Sequence, residues 1–286
     1  MRSSSFVTSA MFAAVGVLLV TASGCRIEAH SQTSFEDTRQ PAKVSTKDWA
    51  GEPIVIENAG VNPLSGTGGV EVKVDAAATK ITAEATFVAT ADDDKEADAK
   101  LSIADAVRTL VIEESPNGIT VRCGHGAAHG TSNVGASGCK ILRVTIPAGS
   151  ATKPHDLKIG GGNGAIRVGL AEAGGIPFVK GLIVDNNGLG DVRVRANPVK
   201  DANIVITGDD AIAVALPSAF SAAKVTFTVD ETDAAKIAAR INTSAFPGMV
   251  SGASFPAAGP TAEAAAVLNV NNKGPFSSDT ITITSF

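Results

Sequence analysis

Four side chains able to bind metal or form a covalent bridge lie in one Gly- and Ser-rich stretch: Cys123, His125, His129 and Cys139. The two thiols can oxidise to a disulfide, which by loop-closure entropy would stabilise the fold by roughly 3 kcal/mol. All four could instead hold zinc, but zinc sites usually pair Cys with Cys and His with His, and here the types are interleaved. His125 and His129 alone would make a weak surface metal site, and solvated loop histidines are the plainer reading. Beyond this stretch the sequence implies no cofactor. A second constellation is Gly208-Asp209-Asp210, set between two apolar alternations. Neighbouring carboxylates can divide acid and base roles in glycoside hydrolysis. The same three residues also make an ordinary turn. Gly160-Gly161-Gly162-Asn163-Gly164 has the composition of a phosphate cradle, but Ile166-Arg167-Val168 follows as a strand where such a loop needs a helix.

Arg167, Arg193 and Arg195 sit between apolar residues, so on strands they point away from a core. Aligned by stacking, they would form a basic stripe able to bind an anionic glycan or lipid headgroup. The plainer reading is a solvated face that discourages edge pairing. Against that local positive charge, the chain has 24 Lys+Arg and 29 Asp+Glu, a net charge of -5. That balance argues against nucleic acid as a partner, since its binding rests on dense contacts from Lys and Arg to phosphates. Aromatics are scarce, with one Trp and no Tyr, which counts mildly against a stacked-sugar cleft.

The elements that must position these residues read as strands. Apolar residues alternate in Val70-x-Val72-x-Val74, Ile119-x-Val121-x-Cys123 and Leu142-x-Val144-x-Ile146, and about 14 such runs are bounded by Gly, Asn, Asp or Pro. Two stretches depart from this period. Asp92–Arg108 predicts a surface helix that packs through Ala97, Leu101, Ala104 and Val107. Thr232–Asn242 predicts a shorter helix with Thr232 as its N-cap. In the middle of the chain, strands starting at Leu157, Leu182 and Ile204 each lead through a Gly/Asn/Asp turn to a second strand, the spacing at which solenoid coils repeat. The expected fold is mainly β, a parallel β-helix or β-solenoid-like domain with one peripheral helix and a second short one. The alternative is an antiparallel meander or sandwich, because Asn-Gly also closes hairpins.

The N-terminus addresses location. Arg2, an apolar run from Met11 to Val20, and then Ala22-Ser23-Gly24-Cys25 make an export signal too short to span a bilayer. The segment resembles the lipobox of bacterial lipoproteins, with Ala22 where Leu is usual. That resemblance implies lipid on Cys25, a signal peptide over 1–24, and membrane attachment through the lipid. Arg26 after the cysteine favours the outer membrane. Residues 25–48 are polar and aperiodic, and read as a flexible tether ahead of a single domain over 49–286.

Ile54-x-Ile56-x-Asn58-x-Gly60 followed by Val70-x-Val72, with a charged helix between Phe87 and Leu110 and then Gly118-Ile119-Thr120-Val121, resembles the DUF4097-type adhesin family of bacterial envelopes. The resemblance implies a parallel β-helix or β-solenoid-like domain and no settled biochemical activity; the function expected is a non-catalytic adhesive or structural role with an envelope glycan or protein as partner. Asp209-Asp210 and Gly124-His125-Gly126 also resemble motifs of polygalacturonase-type β-helix glycosidases. Their order is reversed here, and the two motifs stand more than 80 residues apart. A carbohydrate-active enzyme using Asp209 and Asp210, and a ligand sensor built on the Cys123–Cys139 loop, are the competing functions.

Overall fold

The computed structural model describes residues 32–36, 42–60, 67–92, 94–126, 134–256 and 266–286. The signal segment 1–24, Cys25, Arg26 and His129 lie outside them. In chain order the elements are β1 (Gln32–Glu36), β2 (Lys43–Val44), β3 (Ile54–Asn58), β4 (Gly69–Asp75), β5 (Thr82–Asp92) and α1 (Glu96–Arg108). There follow β6 (Val111–Ser115), β7 (Gly118–Cys123), β8 (Val134–Pro147), β9 (His155–Gly161), β10 (Ile166–Val168) and β11 (Ile176–Asn186). The last are β12 (Val192–Gly208), β13 (Ile212–Leu216), β14 (Ala222–Val229), α2 (Ala234–Arg240), β15 (Ile241–Asn242), β16 (Ala266–Asn272) and β17 (Ile281–Ser285). The protein is mainly β with two helices, and its strands are mixed in direction.

Two ladders enclose the core. The back ladder runs β6-β7-β3-β9-β11-β12-β16-β14, and the front ladder runs β5-β8-β4-β10-β12-β13-β17-β15. Strand β12 belongs to both: Val192–Arg195 pair in front, and Asn203–Gly208 pair behind. Chain segments therefore pass from the back ladder to the front one and return, as β9 to β10 and β11 to β12 do.

The alternation in the sequence becomes columns of side chains across the strands. Ile119, Ile54, Leu157, Leu182, Ile204, Leu268 and Val225 stand in one register of the back ladder, all fully buried. Each such aliphatic side chain contributes on the order of 1.5–3 kcal/mol by leaving water. The front ladder answers with Leu142, Val70, Ile166, Val192, Ile212 and Ile281.

Leu157, Leu182 and Ile204 thus stand side by side in parallel register, so the hairpin alternative fails for these three units. A uniform coil is not what surrounds them. The segment β3–β4 is inserted between β7–β8 and β9–β10, and β16–β17 between β12–β13 and β14–β15, so stacking order departs from chain order at both ends. At one end, β6 on β7, β5 on β8, and β1 and β2 on β5 are antiparallel. Interchangeable Val, Ile and Leu columns do not specify which neighbour a strand takes, and the long connections there leave the choice free.

Three local expectations need correction. The stretch read as a tether holds β1 and β2, both paired to β5, and Ser45 is buried, so order starts ahead of Trp49. Helix α1 buries Ala99, Ser102, Ile103 and Ala106, while Leu101 is 54% exposed. The helix starts later and is rotated relative to the expected face, with only Val107 of that face partly packed. Helix α2 is capped by Asp233, whose carboxylate accepts from the backbone N–H of Ala235 and Lys236.

One corner of the stack is polar and closed. Asn58, Asn186 and Asn272 end back-ladder strands, fully or almost fully buried, with Gly161 and Gly208 registered beside the second and third. Their amide groups donate to the carbonyls of Gly69, Gly190 and Asp210 respectively, satisfying backbone groups that the turns would leave unpaired. Gly161 leaves room for its neighbour, since a Cβ there would meet Asn186 Oδ1 at 3.2 Å and Ile166 closer still. At the β14 end the exposed strand edge is covered. Ala222 and Phe255 exchange backbone hydrogen bonds, Val225 does the same with Ala253 and Gly252, and Ser251 Oγ bridges to Phe227.

Candidate functional site

The outer face of the front ladder carries a charged row set by register. Glu84 lies opposite Arg143, Arg143 beside Glu71, Glu71 beside Arg167, and Arg167 beside Arg193. Neighbours in such a row are about 4.8 Å apart, close enough for each charge to act on the next. Arg143 Nε donates to Glu71 Oε2 at 3.0 Å and its Nη1 to Thr86 Oγ1 at 3.1 Å. Arg193 Nε lies 2.6 Å from Asp191 Oδ2. Arg167 reaches the same carboxylate only at 3.9 Å. Arg195 turns away, donating to the Glu172 carbonyl at 3.2 Å and lying 5.6 Å over the Phe286 ring.

A groove opens where β10 stops. After Val168 the chain leaves the ladder at Gly169 (φ +67°), a left-handed conformation that glycine adopts without steric cost. Strand β4 runs on to Asp75, while β12 pairs in the front ladder only as far as Arg195 and joins β11 in the back ladder from Ala196. Glu172 Oε1 takes up the Val74 N–H that a longer β10 would have met. The resulting groove, about 340 Å³, is lined by Glu71, Val72, Lys73, Arg143, Arg167, Leu170 and Ala171. Lys73 is exposed and makes no ion pair among the described residues. The lining carries three cations and one anion, so the groove is basic within an acidic protein.

Of the arginines singled out from the sequence, only Arg167 faces this groove. Arg193 and Arg195 are occupied by Asp191 and by the Glu172 loop. Lys73 and Arg143 were missed: alternation shows that they point outward, but not that β4 lies beside β10 with β8 next beyond it.

The cysteines are joined. Cys123 and Cys139 form a disulfide with Cα atoms 5.9 Å apart, tying the end of β7 in the back ladder to β8 in the front. A disulfide leaves no thiolate for zinc, so the four-ligand reading falls. His125 is exposed and bridges through its backbone to Gly138. Among the described residues no group of three or more His, Cys, Asp or Glu side chains is placed to hold a metal.

The hydrolase-like motifs are not brought together. Gly124-His125-Gly126 follows β7, and Asp209-Asp210 follows β12, at corresponding corners but four strands apart along the back ladder. At ladder spacing that is about 19 Å. Asp210 Oδ1 accepts from the Ala211 N–H at 2.7 Å, and the Asp210 carbonyl accepts from Asn272, as in a structural corner. Gly160–Gly164 likewise forms the turn from β9 to β10, with Gly162 N–H donating to Gly68.

No family model and no curated protein matches the chain. A solved structure does: the crystal structure of a "putative cell adhesion protein" from Clostridium sporogenes, with a TM-score of 0.51. The match covers 86% of this chain and 99% of that one at 10% identity. The two share a fold. At that identity the likeness does not extend to individual side chains.

His155 is a further residue that sequence reading passed over. It begins β9, is fully buried, and stacks on Trp49 with ring centroids 4.8 Å apart. Neither ring nitrogen finds a hydrogen-bond partner among the described residues. Burial lowers its pKa from 6.5 to about 4, since a charged imidazolium there would have no water or acceptor.

Proposed function

We propose that this is a lipid-anchored envelope protein whose solenoid-like β body works by adhesion or structural interaction, without a catalytic centre. The observation that carries the reading is the separation of the two hydrolase-like motifs along the back ladder, while the front ladder carries a continuous charged face. Glycoside hydrolysis needs two carboxylates that face each other across the scissile bond; here Asp210 accepts within its own corner, and Asp279 beside it is buried and accepts from the Phe276 N–H and from Ser278 Oγ. The fold shared with a chain described as a cell adhesion protein agrees with that role, as does the resemblance to DUF4097-type adhesins. Lipid on Cys25 would hold the body at the membrane, with the outer membrane as the favoured location and an envelope glycan or protein as partner. Expression of the full chain beside Cys25→Ser tests the anchor. The native chain should fractionate with membranes and carry acyl mass at its N-terminus, and the variant should be released. Equal recovery of both in membranes would refute lipid attachment. The catalytic alternative is tested separately: cleavage of acidic polysaccharide that Asp210→Asn abolishes would overturn the non-enzymatic reading.

A further inference from the structure

We propose that the groove beside β10 binds an acidic polysaccharide, holding a carboxylate or sulfate group between Arg167 and Lys73. The proposal rests on reading the body as an interaction module and names what one face of it would recognise.

Three observations converge on this groove. The first is unspent charge. Arg143 is committed to Glu71 and Thr86, and Arg193 to Asp191, whereas Arg167 keeps only a contact at 3.9 Å and Lys73 has no ion pair among the described residues. A guanidinium and an ammonium on one wall system, with one close carboxylate already engaged by Arg143, leave a site that favours an anion.

The second is placement. Lys73 stands two residues beyond Glu71 on β4, and Glu71 is registered with Arg167, so both cations project from the same face of the ladder. Where β10 ends at Val168 the chain turns away through Leu170 and Ala171, which line the groove together with β4, β8 and β10, while Glu172 spans from the Val74 N–H to Arg195. Leu170, 37% exposed, gives the groove an apolar surface against which the face of a sugar ring can rest.

The third is what surrounds the groove. Glu71, Glu84 and Asp191 share the face, and the chain as a whole carries a net charge of -5. An anionic bilayer, which is broad and flat, would meet those carboxylates along with the cations and be repelled. A polymer that enters the groove avoids most of them. The geometry therefore favours an acidic glycan over a lipid surface, even though both present the same kind of charged group.

The test uses full-length protein in a neutral detergent. Immobilised polygalacturonate and dextran sulfate supply carboxylate and sulfate arms, neutral dextran supplies the uncharged control, and phosphatidylglycerol vesicles supply the lipid arm. Binding to at least one charged polymer is expected, weakening as salt rises, with none to neutral dextran. Arg167→Ala should weaken it about tenfold and Lys73→Ala/Arg167→Ala should abolish it, as expected for lost charge-assisted contacts. Arg122→Ala, on the back ladder and paired with Glu57 and Glu113, should bind as the native protein does. Circular dichroism and the melting temperature establish that each variant is folded, and Arg167→Gln replaces Arg167→Ala if it is not. Failure to bind either charged polymer, equal binding by folded Arg167 variants, or binding to vesicles alone would overturn the proposal. None of these outcomes bears on membrane release of Cys25→Ser or on polysaccharide cleavage, so failure here is distinguishable from failure of the broader reading.

Discussion

At the scale of single residues, His155 shows how a side chain unremarkable in sequence can control stability. Its ring lies flat against Trp49, and Gly149 leaves it space, since a Cβ there would come within 2.9 Å of the ring. In the unfolded chain the imidazole titrates near 6.5, while in the folded protein it resists protonation down to about 4. Between those values the unfolded state binds the additional proton, so stability is complete above pH 6.5 and declines as pH falls towards 4. The span corresponds to about 3 kcal/mol. Urea unfolding at pH 7.5 and pH 4.5 should show this loss in the native protein, and His155→Leu should lose markedly less over the same window. Identical pH dependence in the two proteins would remove His155 from the account. Nothing in the sequence around Pro154-His155-Asp156 distinguishes this histidine from His125, which is exposed, because burial comes from strands that the local sequence does not name.

Among the elements, α1 is the most direct case of a pattern read correctly in kind and incorrectly in orientation. Its acidic first turn, Glu96 and Asp98, and its basic last turn, Arg108, suit the helix dipole, so a helix was to be expected here. Which face it buries depends on β5 and β8, against which it packs. Small Ala99 and Ala106 permit a close approach, with Ile103 between them, and the larger Leu101 is left in water. Ile103→Ala should cost about 2–4 kcal/mol, the usual penalty for emptying a buried aliphatic site. Leu101→Ala should stay within about 0.5 kcal/mol, as exposed substitutions generally do. Chemical denaturation of the two variants decides the matter, and the reverse ranking would mean that the helix is docked by its other face. Strand β10 makes the complementary point: three residues bounded by Gly164 and Gly169 are visible as a short strand in the sequence, but the groove is completed by β4, by β8 and by the loop that follows β10.

For the whole body, stability should vary along the stack. Each segment touches mainly the one above and the one below, so the middle strands are supported on both sides and the ends on one. The disulfide ties the two ladders at the β7–β8 end. At the other, buried Arg240 donates to the carbonyls of Asp279, Asp230 and Gly274, joining the β14, β15, β16 and β17 connections. Amide hydrogen exchange should therefore be slowest in β9, β11 and the second half of β12. Arg240→Ala leaves those carbonyls without their donor, and it should accelerate exchange in β15 and β17 while leaving β9 and β11 unchanged. Uniform acceleration throughout would show that the stack unfolds as one unit under these conditions.

The sequence by itself determined the character of the elements: period-two alternation, Gly/Asn/Asp corners, a charged helix, a cysteine pair, and a repeat beginning at Leu157, Leu182 and Ile204. These are local properties, set by backbone geometry within a few residues, or by repetition at short range. Tertiary structure alone decided the order of the strands at both ends, the antiparallel cap, the face of α1, and which charges share a groove. The reason is that Val, Ile and Leu columns are nearly equivalent as neighbours, so the pairing of distant strands is chosen by connection length and total packing. A cross-strand charge row then inherits that choice. Arg167 could be seen to point outward from its own three-residue strand, but its nearness to Lys73 and Arg143 was written in β4 and β8.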